Sequence, residues 1–306
     1  MKKLTFPVLF FLMLNLPLRG EETKISFNEE SKRVVLETDS QKIVFDCADT
    51  ARIVSWQFNG TDYVTDALTE KGGHIAKDGL WSPGRRLFNL AEPYVLTGKE
   101  TADRKIILRF QGKIDASSTV FSALDGGGWK IEKTYVIKQD VPELTVIHTI
   151  VNQGRNSRYF SFWFHNWLET GSNYLLLLQG YDGTINYDPA VSEKKCENVV
   201  FPVKDAPFTR GNEKFEADYR LSEIMGGTFL LYSRERKIAF VVSTDCQKLL
   251  QEYSYVSSAV KPTVEFMTRP VTLKPDETWE LKTVIKFVPG AGESDLKGIL
   301  ESYPCK

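Results

Sequence analysis

Residues 129–168 read WKIEKTYVIKQDVPELTVIHTIVNQGRNSRYFSFWFHNWL, and three short runs within them alternate in polarity. WKIEKTYVI, LTVIHTIV and YFSFWFHNW are rich in β-branched and aromatic residues and repeat with period two, the mark of extended strands. Asn152-Gln153-Gly154 supplies a turn between the second and the third. In a strand, alternate side chains point to opposite faces. Residues 158–168 therefore divide in two. Phe160, Phe162, Phe164 and Leu168 form one face, with Asn166 among them, and belong in a core. Tyr159, Ser161, Trp163, His165 and Trp167 form the other. Each of these five has a polar handle, which suits a wet groove. A sugar would suit that groove, because its C–H faces stack on indole rings while its hydroxyls seek imidazole and amide groups. The alternative for the same residues is a sheet-packing face whose N–H and O–H groups are satisfied internally.

The same period extends outward in both directions. KRVVLETD, KIVFDC, RIVSWQF, KIILRFQ, YLLLL, GTFLLYS, KIAFVVS, PTVEFMT and WELKTVIKFV are further strand candidates. Turn residues bound them, and RIVSWQF-NG-TDYVT has the Asn-Gly signature of a two-residue hairpin. Only the tail, SDLKGILESY, has helical spacing, with Leu296, Ile299, Leu300 and Tyr303 on one stripe. Residues 66–93 and 180–226 are irregular, and the first of these holds Gly, Pro, two adjacent arginines, a histidine and a tryptophan. The expectation is an all-β fold: one large antiparallel β-sandwich over residues 21–306, closed by a short C-terminal helix.

The first twenty residues stand apart. MKK followed by LTFPVLFFLMLNLPL reads as a secretory signal peptide over residues 1–20, an uncleaved anchor being the alternative. The expected location is therefore periplasmic or extracellular, with no membrane span once the signal is removed. With 306 residues and a formal charge of −1, the chain shows no basic stripe for nucleic acid. Export places Cys47, Cys196, Cys246 and Cys305 in an oxidising compartment, and four cysteines allow three pairings; four buried thiols are the alternative. There is no HExxH, CxxC or histidine cluster, so no metal site is expected. In DGTINYDPAVSE, Asp182, Thr184, Asn186, Asp188 and Glu193 fall at calcium-loop spacing, but Tyr187 stands where such a loop needs Gly, and a surface turn is expected.

ELTVIHTIVNQGRNSRYFSFWFHN resembles the middle of the galactose mutarotase (aldose 1-epimerase) superfamily, whose strand reaches an Asn-containing turn before a second strand ends in a sugar-facing histidine. Here Asn152 sits at the turn and His165 ends the strand. ARIVSWQFNGTDYV is similar to the family's opening hairpin, and PTVEFMTRPVTLKPDETWELKTVIKFV to the segment bearing its catalytic glutamate, a place taken by Glu265. The resemblance implies the large supersandwich of that superfamily. It also implies an acid–base pair at an anomeric carbon, with a carboxylate taking the C1 hydroxyl proton and an imidazolium protonating the ring oxygen from the other side. His165 and Glu265 are the catalytic candidates, with Trp163 and Trp167 as sugar platforms. The family's second histidine would be His74 in GGHIAKDG, and its hydroxyl-fixing arginine and aspartate would be Arg85 or Arg86 in SPGRR and Asp205 in FPVKDAPFTRG. Asn166-Trp167-Leu168 follows His165 where the enzymes carry an aromatic-Asn pair. No cofactor is implied. The reading is an exported carbohydrate-binding protein taking a sugar or polysaccharide-derived ligand, an isomerase if the pair acts. The alternative is a non-catalytic interaction domain, since WKIEKTYVIKQDVPELTVIHTIVN also resembles strands of the periplasmic domain of the bacterial membrane-protein insertase.

Overall fold

The computed structural model describes residues 23–65, 73–82, 85–87, 93–114, 128–168, 173–180, 184–187, 198–202, 224–256 and 262–303. In chain order the first strands are β1 (Lys24–Asn28), β2 (Arg33–Glu37), β3 (Gln41–Asp46), β4 (Arg52–Phe58), β5 (Thr61–Val64), β6 (His74–Ser82) and β7 (Arg85–Leu87). Then come β8 (Val95–Ala102), β9 (Lys105–Ile114), β10 (Trp129–Lys138), β11 (Glu143–Asn152), β12 (Arg158–Trp167), β13 (Tyr174–Gly180), β14 (Thr184–Tyr187) and β15 (Asn198–Pro202). The last are β16 (Ile224–Ser233), β17 (Ile238–Thr244), β18 (Leu249–Val256), β19 (Pro262–Thr268), β20 (Val271–Leu273), β21 (Thr278–Pro289) and the helix α1 (Leu296–Glu301).

Among the described residues these strands form two antiparallel sheets. A twelve-stranded sheet has the order β1-β2-β3-β4-β6-β12-β19-β18-β15, with β5, β7 and β20 attached to its side. A nine-stranded sheet has the order β14-β13-β16-β17-β21-β11-β10-β9-β8. The alternation in β10 and β11 is complete: every second residue is buried along both strands. Rings from the two sheets interlock between them, with Phe45 against Phe110 and Tyr135, Trp56 edge-on to Phe287, and Phe160 against Trp129 and Trp279. This is the sandwich expected from the period-two pattern.

The Asn59-Gly60 hairpin forms as its sequence requires, with φ of 47° and 75° at the two turn residues and Phe58 paired to Thr61. Helix α1 lies on the outer face of the nine-stranded sheet. Its Leu296 and Leu300 are buried against Leu230, Tyr232 and Val241, with Ile299 and Tyr303 packed alongside, the stripe that the spacing predicts.

Cys246 is disulfide-bonded. Cys47 is a free, buried thiol that burial, and then neighbouring Asp46, push up to about 12. A pairing that uses Cys47 is thereby excluded; Cys196 and Cys305 lie outside the described residues, as do residues 1–22 with the expected signal peptide. No helix among the described residues is long and apolar enough to cross a membrane.

Candidate functional site

The site forms where three neighbouring strands of the twelve-stranded sheet present side chains to the face away from the core. In β12, Phe160, Phe162, Phe164 and Leu168 are buried in the core between the sheets, as the alternation predicts. Trp163, His165 and Trp167 point the other way. Strand β19 pairs with β12 so that Glu265 stands directly opposite His165, and directly opposed residues share a face. Strand β6 pairs on the other side, bringing His74 beside Trp167.

That last placement depends on a bulge. Trp167 pairs with His74 but His165 pairs with Lys77, so β6 carries one extra residue across this step. Ala76 takes it up in a left-handed conformation, φ 58°. The bulge breaks the alternation of β6. His74 and Lys77 both reach the site, while Asp78 turns into the core. Asn166, which the period alone would have put among the phenylalanines as an anomaly, secures the bulge. Its Oδ1 accepts from the Ala76 N–H at 2.9 Å and its Nδ2 donates to the Val264 carbonyl at 3.1 Å.

The groups so gathered form a continuous chain. His74 Nε2 lies 2.8 Å from His165 Nδ1, and His165 Nε2 lies 3.1 Å from Glu265 Oε1. Trp163 donates from Nε1 to Glu265 Oε2 at 2.8 Å, and its ring stacks on His165 with centroids 4.9 Å apart. Trp167 meets His74 edge-on at 5.9 Å. At the far end Arg52 Nη1 lies 3.4 Å from His74 Nδ1. Arg52 is itself held by Asp46 at 3.3 Å and Asp49 at 3.0 Å, and Lys77 binds Asp49 at 2.8 Å. Burial, and with it the charges of Arg52, Lys77 and Lys133, hold His74 well below the ordinary histidine range. His74 is therefore neutral at pH 7.

Beneath the site lies a second polar cluster, sealed between the sheets. Lys133 and His148, paired across β10 and β11, both face inward and are fully buried. Lys133 Nζ donates to the Thr50 carbonyl at 2.9 Å, to the Ala76 carbonyl and to Asp78 Oδ1. Asp78 also accepts from the Tyr94 hydroxyl at 2.9 Å. Burial raises the Asp78 carboxyl, but the Lys133 charge and, after it, His148, whose Nε2 lies 3.6 Å away, outweigh it and bring it down to about 2. For Lys133 burial acts downward and Asp78 upward; with the carboxylate in contact, the ion pair is the state that satisfies both groups. Lys133 thus grips the carbonyl of the residue whose N–H is held by Asn166, and the bulge is fixed from both sides.

Two expectations change. Trp163 is only 5% exposed, so it is a buried partner of Glu265 and His165 and not an open stacking platform. His165 and Glu265 touch, so they stand side by side on one face and do not bracket a ring-sized gap. Arg85 and Arg86 lie on β7, paired in register with Ser82 and Trp81. Asp205 and the potential calcium-loop residues Asp182, Asp188 and Glu193 lie outside the described residues, while Thr184 and Asn186 are on β14. Among the described residues no group of acidic, histidine or cysteine side chains is placed to hold a metal ion. Arg52, Lys77, Asp46 and Asp49 were not legible as site residues. They lie on β3, β4 and β6 and the turn between β3 and β4, ordinary charged positions until the sheet pairs.

Gly73 gives the site a local test. A Cβ there would sit 2.4 Å from the Trp167 backbone oxygen, a contact between backbones that no rotamer relieves. Gly73→Ala is expected to push β6 from β12 and lower stability by about 1–3 kcal/mol in urea denaturation.

No protein-family model matches the chain, and no curated protein does. Solved structures do. A galactose mutarotase-like protein from Clostridium acetobutylicum superposes with a TM-score of 0.61 at 9% identity, covering 88% of this chain and 99% of that one. A galactose mutarotase-like protein from Lactobacillus casei gives 0.56 at 11% identity, covering 84% and 100%. A galactose mutarotase related enzyme from Lactobacillus acidophilus gives 0.52 at 11%, covering 85% and 99%. This chain has the galactose mutarotase-like fold. At these identities the likeness is one of fold, and it spans nearly the whole of each solved chain. Within the mutarotase-like frame, His74, His165 and Glu265 meet on adjacent strands of the larger sheet.

Proposed function

We propose that this chain is an exported carbohydrate-binding protein whose site is centred on His165 and Glu265, with sugar epimerisation as its catalytic form. The observation that carries the reading is the contact between an imidazole and a carboxylate, 3.1 Å apart, beside two indole rings and a second imidazole. The fold shared with proteins named galactose mutarotase-like supports a sugar as the ligand. The side-by-side arrangement suits the chemistry. In a cyclic aldose the C1 hydroxyl oxygen and the ring oxygen are bonded to the same carbon, so an acid and a base need not face each other across the ring. Glu265 would take the C1 hydroxyl proton while the His165 N–H supplies one to the ring oxygen. The ring opens, C1 rotates, and the contact between the two groups gives a path for the proton to return. Export follows from the basic and apolar leader, and favours a polymer-derived sugar over a cytosolic monosaccharide.

A second reading is a non-catalytic interaction domain. It is favoured by the burial of Trp163 and Glu265, 5% and 6% exposed, at the centre of the pair. Polarimetry on freshly dissolved aldoses separates the two. The enzyme reading expects a protein-dependent approach to equilibrium, slowed at least tenfold in both His165→Asn and Glu265→Gln. No acceleration by the folded protein removes it. A glycan-binding screen then tests sugar binding itself, with Trp167→Ala as the weakened control; a chain that binds no glycan leaves the interaction domain.

A further inference from the structure

The two histidines of the site each have a nitrogen whose role is set by a partner. A guanidinium only donates hydrogen bonds, so His74 Nδ1, 3.4 Å from Arg52 Nη1, carries the lone pair. His74 is neutral, and its single proton is therefore on Nε2. That nitrogen lies 2.8 Å from His165 Nδ1, a contact that is a hydrogen bond only if Nδ1 accepts. The proton of His165 then sits on Nε2, 3.1 Å from Glu265 Oε1. A carboxylate accepts on both oxygens, and Glu265 Oε2 takes the Trp163 N–H at 2.8 Å. Each donor along this line points the same way, from Arg52 to Glu265. The opposite tautomer of His74 would aim an N–H at the guanidinium, and that of His165 would aim a lone pair at the carboxylate.

We infer that Arg52 is a positioning residue for the His165/Glu265 pair: through His74 it dictates which nitrogen of His165 carries the proton. Asp46 and Asp49 hold the guanidinium in place for this, and Lys77, bound to Asp49, supports the same turn. The consequence is specific. The N–H that His165 presents to Glu265 is the one on Nε2, while its Nδ1 is turned to His74. The value of this for sugar chemistry rests on the function proposed above; the tautomers themselves exist in the free protein.

The chain has only three histidines, so their side-chain nitrogens are resolvable by long-range proton–nitrogen NMR on the full folded protein without sugar. The expected wild-type result is that His74 and His165 each show a single Nε2–H tautomer. Arg52→Met is expected to lose that pattern, leaving both as tautomer mixtures, while Arg52→Lys, again a pure donor, retains it. His148, buried away from Arg52, is the internal control for the fold. A proton on Nδ1 of either site histidine in the wild type overturns the inference, whether or not a variant folds. So does an unchanged pattern in folded Arg52→Met. Because no sugar is present, a negative polarimetry result leaves this test intact, and a negative tautomer result leaves the proposed ligand intact.

Discussion

Lys133→Met is expected to lower folding stability by about 3–5 kcal/mol, because it strips a buried carboxylate of its cation. Methionine fills nearly the same space, so the loss is not one of volume. What remains is Asp78, 2% exposed, with the Tyr94 hydroxyl as its nearest donor, and two buried carbonyls, of Thr50 and Ala76, without the ammonium that served them. The pH dependence identifies the cause. In the wild type Asp78 titrates at about 2 against an ordinary value of 3.8. A carboxyl depressed by folding adds stability that is fully present above its unfolded value and disappears as pH falls through its folded one. The wild type should therefore lose about 2 kcal/mol from this group between pH 4 and pH 2. In Lys133→Met the largest influence opposing burial at Asp78 is gone and its carboxyl rises, so the variant gains relative stability on acidification. Urea denaturation at a series of pH values measures both. A variant within 1 kcal/mol of the wild type at pH 7, or a difference that does not shrink towards acid pH, would show that Lys133 and Asp78 do not form the ion pair.

Lys133 also marks how far the sequence could be read. The period-two pattern of WKIEKTYVIK and ELTVIHTIVN forecasts both strands, and the structure follows it residue by residue. Taken strictly, that pattern puts Lys133 and His148 on the buried phase, in company with Ile131, Tyr135, Val146 and Ile150. The anomaly was visible, but its partner was not, because Asp78 lies on β6, far away in sequence. The same limit applies to the site. His165 and Glu265 could be singled out by chemistry and resemblance, yet their contact depends on the register of β12 against β19. His74 could be suspected, but one inserted residue in β6 decides whether it faces the site or the core. Local pattern specifies strands and faces; register and bulges are set by long-range pairing, and the residues that hold them are the ones whose roles were missed.

Asn166 is the clearest of these, and Asn166→Leu is expected to be the second most damaging substitution. Leucine continues the apolar face of Phe160, Phe162 and Phe164 and is of similar size, so a reading from burial alone predicts little change or a gain. The hydrogen bonds predict the reverse. Without the amide, the Ala76 N–H and the Val264 carbonyl lose their partners in a region where Asn166 itself is 0% exposed. An unsatisfied buried group costs about 1–3 kcal/mol, so the loss of two partners should cost about 2–6 kcal/mol. Its effect also reaches the site. Ala76 holds a left-handed φ of 58°, a conformation that costs an L-residue about 1–2 kcal/mol and that the two clamps, Asn166 on its N–H and Lys133 on its carbonyl, keep in place. Freed on one side, β6 can relax towards regular pairing and rotate His74 away from His165. Asn166→Leu should therefore lose the single-tautomer pattern of His165 as Arg52→Met does, although Arg52 is untouched. Ala76→Gly, which removes the strain and keeps the clamps, should retain the pattern and be no less stable than the wild type. If Asn166→Leu is stable and leaves the histidine signals unchanged, the bulge does not depend on its clamp. In the opposite case a residue that never faces the site determines whether His74 belongs to it.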